Sequence, residues 1–161
     1  MDMNENRQPD EFGEWMGTGE RLSDLTVSSD GASREKAIDA LDALAGRELV
    51  NTETGIKARV STRQRKKIMS GVAIEKSKSN GFSAAQHFAL AARLDKAWEH
   101  ATLVKTRDDR NAASIKRFAA PLMMDGEPAL AYITAKESVE HGHRIYSLEL
   151  KEIKYPQSRT T

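Results

Sequence analysis

At Ala101 the periodicity of this chain changes, and that change limits the folds open to it more than any single motif does. Before Ala101 apolar residues recur three and four apart, and after it they alternate, the mark of helices followed by half-buried strands. In NGFSAAQHFALAARLDKAWEHA, Ser83 and Gln86 stand three apart behind Phe82, a capping box that predicts a helix from Ala84 to about Ala101. His87, Ala91, Leu94, Trp98 and Ala101 fall on one stripe of that helix, so His87 is expected to face the core or its rim. Two shorter helices are expected upstream. Ser33 starts one with the stripe Ala37, Ile38, Leu41, Leu44 and Ala45, which Gly46 stops. Ser61 and Gln64 open the other, STRQRKKIMSG, which is densely basic on its outer face and has Gly71 beyond its last turn.

Beyond Ala101, TLVKT reads as a short strand, RDDRNAAS as a polar loop, and IKRFAAPLMM as a second strand ending at Asp125-Gly126, a hairpin signal. PALAYITAKE puts Leu130, Tyr132, Thr134 and Lys136 on one face and Ala129, Ala131, Ile133 and Ala135 on the other. SVEHGH is the next turn, and RIYSLELKEI is a last strand with Arg144, Tyr146, Leu148 and Leu150 on one face. Short connections imply an antiparallel meander. The expected fold class is therefore α+β, with N-terminal helices packed on an antiparallel sheet of about four strands. The expected organisation is a mostly disordered acidic segment over 1–32, where Trp15 and Met16 can anchor, a single domain over 33–155 and a tail over 156–161.

Composition narrows the chemistry. The 161 residues include no cysteine, which removes disulfides, thiolate metal sites and thiol nucleophiles. The start is acidic and polar, and no apolar run approaches membrane length, so a soluble, cytoplasmic protein without a membrane partner is expected. The formal net charge of +1 hides an asymmetry. Residues 1–55 carry 13 acidic against 5 basic side chains, and the remainder carries 11 against 20. A basic body suits a polyanionic partner such as RNA; the acidic segment reads as a linker.

Three of the four histidines have ordinary explanations. His100 ends a helix, where the dipole favours a cation, and His141 and His143 flank a turn glycine. The HGH motif lacks a third ligand, so no metal is expected. No glycine-rich phosphate loop, nucleophile elbow or dinucleotide fingerprint occurs, so no cofactor is expected either. What remains is Arg117 in KRF, Thr134 and Lys136 in ITAKE, Tyr146 and Ser147 in IYS, and His87. His87 fits either a buried hydrogen-bonded histidine or a catalyst at the core's rim.

The order of TGIKARVS, KSKSNGFSAAQHF, LDKAWEHATLVKT, IKRFAAPL, ITAKES and RIYSLEL, across 51–153, resembles a domain of the very large polyvalent proteins of phages and conjugative elements. That resemblance implies the fold of barnase, EndoU, colicin-type tRNases and RelE, hence a barnase/EndoU-like sheet with a basic face. It also implies a metal-independent endoribonuclease, a toxin or effector, that cleaves RNA through its 2′-OH to a 2′,3′-cyclic phosphate inside a bacterial host cell. The corresponding catalytic set here is His87, Arg117, Thr134, Lys136, Tyr146 and Ser147. His87 would transfer protons, Arg117 and Lys136 would hold phosphate oxygens, Tyr146 would donate a hydrogen bond or stack a base, and Thr134 and Ser147 would orient through their hydroxyls. Arg63, Arg65, Lys66, Lys67, Lys76, Ser77, Lys78 and Lys116 would bind the RNA, possible tRNA included. One departure from the group is the lack of a glutamate clearly placed as a base, since Glu137 points away from Lys136. An acidic immunity or antitoxin protein would accompany a toxin. The alternative is a non-catalytic accessory module that binds nucleic acid or protein.

Overall fold

The structure, a computed structural model, describes residues 25–108 and 114–156. Among these, five helices and seven strands follow in the order β1 (Thr26–Val27), α1 (Arg34–Ala43), β2 (Leu49–Val50), β3 (Lys57–Arg59), α2 (Thr62–Ile68), α3 (Gly71–Ser79), α4 (Ala84–Ala91), α5 (Leu94–Glu99), β4 (Thr102–Asp108), β5 (Ser114–Met124), β6 (Glu127–Glu140) and β7 (His143–Lys154). The strands form one mixed sheet in the order β1-β5-β6-β7-β3-β2, with β4 also paired to β5, curled into a half-barrel.

The expected layout of N-terminal helices on about four antiparallel strands, barnase/EndoU-like, is therefore corrected. The four long strands are present and antiparallel to one another. Three short strands from the helical half join them, two through parallel pairings: β1 runs along β5 at Met123–Met124, and β3 runs along β7 at Tyr146–Ser147. Strands of two or three residues are too short to show an alternation. The anchoring of Trp15 and Met16 and the tail from 157 onward lie outside the described residues.

Local chemistry explains the helices. Serines 33, 61, 70 and 83 cap α1 to α4, each accepting from a backbone N–H three residues on. The capping box at Ser83 and Gln86 has both of its bonds. Two expectations change here. Gly71 does not end a helix but begins α3 behind Ser70, and the single helix to Ala101 is two, broken at Ala92 and Arg93. The stripe survives the break, because His87, Ala91, Leu94, Trp98 and Ala101 are all buried. Asn51, fully buried, receives α5 by donating to the Trp98 and Ala101 carbonyls at 2.8 Å each, which satisfies carbonyls a helix end leaves unpaired.

Both long hairpins use two-residue turns with positive φ at each position, Asp125-Gly126 and His141-Gly142, as a right-twisted hairpin requires. Asp125 also accepts from Ser29 N (2.8 Å), Ser29 Oγ (2.7 Å) and Gln86 Nε2 (2.9 Å). Those hydrogen bonds, the Ser29 backbone N–H first, hold its carboxyl below the usual value and tie the chain after β1 and the start of α4 to the tip of the sheet.

The core lies between the helices and one side of the sheet, where Ala120, Ala129, Ala131, Ile133, Ala135, Leu148 and Leu150 are wholly buried. Trp98 sets its indole edge-on to Phe118, with ring centroids 4.6 Å apart, and donates to the Leu49 carbonyl at 2.8 Å. The small residues of β6 let the helix layer approach closely. No helix among the described residues is long and apolar enough to cross a membrane.

Candidate functional site

His87 is inside the helix layer. Its side chain is 0% exposed, with Nε2 2.8 Å from the Ile68 carbonyl and Nδ1 2.9 Å from Ser77 Oγ. A carbonyl only accepts, so Nε2 carries the hydrogen and Nδ1 accepts from the Ser77 hydroxyl. Ser77 Oγ in turn accepts from Ile153 N at 3.2 Å. The relay closes the C-terminal carbonyl of α2 at one end and the outer edge of β7 at the other. Asn80 completes the edge by donating to the Ile153 carbonyl at 3.0 Å, so side chains of α3 and its cap pair a strand edge that would otherwise stand open. Burial holds the His87 pKa below its ordinary value, opposed by the bond to Ile68.

Tyr146 is on the same, helix-covered side. It packs against the core and donates to Glu137 Oε2 at 3.4 Å, while Arg144 Nε lies 3.0 Å from that oxygen. Burial first, and then the Glu137 carboxylate, push the phenol above its usual pKa.

The other four residues of the expected catalytic set meet on the opposite side of the sheet. Register pairs Arg117 with Thr134 and Thr134 with Glu149, giving one cross-strand row; Lys136, Ser147 and Arg59 give the next. Since side chains alternate, Arg117, Thr134, Lys136 and Ser147 share this open face with Lys105, the partner of Arg117. Arg117 and Lys136 are exposed, and neither has a carboxylate partner among the described residues. Glu149 is held by Lys151 at 3.3 Å, and Arg59 lies 3.6 Å from Glu48.

The expected RNA-binding residues are dispersed. Arg63, Lys66 and Lys67 are exposed on α2, in the helix layer. Arg65 is drawn to Asp42 and Thr62. Ser77 is buried with His87. Lys78 pairs with Glu75 at 3.4 Å, and Lys116 is half-buried on the covered side. Lys76 alone of the set reaches the open face, at the margin of a cavity beside Arg117. Arg59, Lys105, Glu149, Lys151 and Glu152 belong to this face too, although sequence reasoning passes over them. The alternation of RIYSLELKEI contains Glu149, but a register shift between Tyr132 and Ile133 leaves Lys151 as an extra residue, which no periodicity reveals. Among the described residues no three of His, Asp and Glu gather as a metal site would require.

The fold and face together define a helix-backed half-barrel whose uncovered side carries cations and hydroxyls. Over residues 28–146 the chain matches the family model described as Large polyvalent protein-associated domain 3, and it belongs to that family, the one its motif order resembles. No curated protein and no solved structure matches it.

Proposed function

We propose that this domain binds single-stranded nucleic acid on the open face of its sheet, as a non-catalytic module of a phage or mobile-element polyvalent protein. The observation that carries this reading is the pair of exposed cations, Arg117 and Lys136, without carboxylate partners among the described residues, in rows shared with the hydroxyls of Thr134 and Ser147. Unneutralised cations on a strand platform attract phosphate, and displaced counterions supply affinity regardless of sequence.

The metal-independent ribonuclease reading draws on the same face, but its proton-transfer residue is elsewhere. His87 uses both ring nitrogens within the core and is separated from the open face by the sheet itself. A proton acceptor must reach the 2′-OH, and burial together with full hydrogen bonding denies His87 that reach. An immunity or antitoxin partner belongs to the cleaving reading alone.

The test is fluorescence anisotropy with labelled RNA and DNA strands, repeated at several salt concentrations and paired with end-group analysis after incubation in EDTA. Binding that weakens steeply with salt, with intact RNA, is the expected result. Replacing Arg117 and Lys136 together by alanine should flatten the salt slope by about two, roughly one per lost phosphate contact. Fragments ending in 2′,3′-cyclic phosphate would overturn the non-catalytic reading in favour of the ribonuclease.

A further inference from the structure

Next to Arg117 the open face dips into a cavity of about 110 Å³. Its apolar wall is Val104 and Tyr132, which pack on Ala119 and Leu130, both 0% exposed, in a small cluster separate from the main core. Its rim is cationic, with Arg117 on one strand, Lys76 overhanging from α3 and Lys151 on β7. The register shift in β7 is what turns two consecutive side chains, Lys151 and Glu152, toward this cavity, an effect of bulges beside functional sites. Among the described residues Glu152 is the one carboxylate lining it. Asn80 donates to Glu152 Oε1 at 2.9 Å and to the Ile153 carbonyl at 3.0 Å, so the acid is positioned from the backbone of its own strand. Its second oxygen has no hydrogen-bond partner among the described residues.

A cavity with an apolar wall, a ring of cations and one fixed acceptor is built for a flat ring that carries an N–H donor and is joined to phosphate. We infer that it receives one unstacked nucleobase of the bound strand, and that Glu152 selects a base with an exocyclic amino group over uracil or thymine. The inference rests on the nucleic-acid reading above. A carboxylate accepts from the cytosine amino group, whereas the carbonyl that uracil presents at the same position is itself an acceptor and is repelled. Lys76 and Arg117, on two sides of the opening, neutralise the phosphates that flank the base.

The experiment compares oligocytidylate with oligouridylate, each about ten nucleotides long, by anisotropy with the full chain, because the two bases share one ring size and differ in this edge. Tighter binding of the cytidine strand by roughly tenfold is expected, the scale of one good base contact. Glu152→Gln, whose amide both donates and accepts, should bring the two affinities together while both strands still bind and the thermal midpoint stays near that of the wild type. Val72→Ser, at a 74% exposed position of α3 that does not line the cavity, serves as the second variant: it should leave the preference in place, since Glu152 carries the selection. Oligodeoxycytidylate and oligothymidylate carry the same edges and should show the same order. Equal binding of the cytidine and uridine strands by the wild type would overturn the base-pocket inference and leave the nucleic-acid reading standing, as would a preference confined to RNA. Failure of every strand to bind would overturn both.

Discussion

The two sides of one sheet are made from the same strands yet obey different physics. Along β6, Ala131, Ile133 and Ala135 are wholly buried beneath the helices, while Thr134 and Lys136, their immediate neighbours, look out on the other side with Arg117 and Ser147. On the covered side buried polar groups close on one another, as in the run from Ile153 through Ser77 and His87 to Ile68. On the open side Arg117 and Lys136 are exposed with no carboxylate partner among the described residues. Buried packing is concentrated on one side and the proposed binding lies on the other, so substitutions should separate the two properties.

The largest effect is expected at Trp98. It is fully buried, hydrogen-bonded to Leu49 and packed on Phe118, so Trp98→Ala should cost about 3–5 kcal/mol in urea unfolding. An equal loss from Tyr132→Ala on the open side would break the comparison. Next comes His87→Ala, which strands the Ser77 hydroxyl and the Ile68 carbonyl and should cost about 1–3 kcal/mol, with strand affinity of the folded variant unchanged.

His87 also sets a pH dependence. Its folded pKa lies below its ordinary value of 6.5 because burial disfavours the charged ring, so the unfolded chain binds the extra proton first as pH falls. The histidine's contribution is therefore complete above pH 6.5 and declines as pH drops through that value toward the lower folded pKa. Unfolding free energies measured across this window should fall with pH in the wild type and fall less in His87→Ala. The smallest stability effects belong to Arg117→Ala and Lys136→Ala, within about 0.5 kcal/mol. Each should still reduce the salt slope of binding by about one, which sharpens the contrast between the faces.

Much of this arrangement is legible in the residues themselves. Helix caps are local chemistry, so Ser61 and Ser83 can be read from the glutamines three positions on and Ser33 from the apolar stripe behind it, and the hairpin at Asp125-Gly126 and the two faces of β6 are equally local. The parts that escape such a reading depend on contacts distant in sequence. β1 and β3 exist because β5 and β7 offer free edges. α3 lacks a long apolar stripe and is held by bonds from Ser77 and Asn80 to β7. The break after Ala91 carries no glycine or proline to announce it. For the site, alternation on β5, β6 and β7 is enough to group Arg117, Thr134, Lys136 and Ser147. It says nothing of where His87 stands relative to them, since helix spacing gives only the inward direction of that ring and not which side of the sheet lies beyond it.

The central claim is that binding belongs to the open face and His87 to the core. Amide chemical-shift mapping of the full chain titrated with single-stranded RNA tests it most directly. The predicted result is a contiguous set of shifts at Arg117, Thr134, Lys136, Ser147 and the cavity residues, with α2 and the His87 amide little changed. Shifts centred on His87 and the basic residues of α2, with the open face silent, would contradict it.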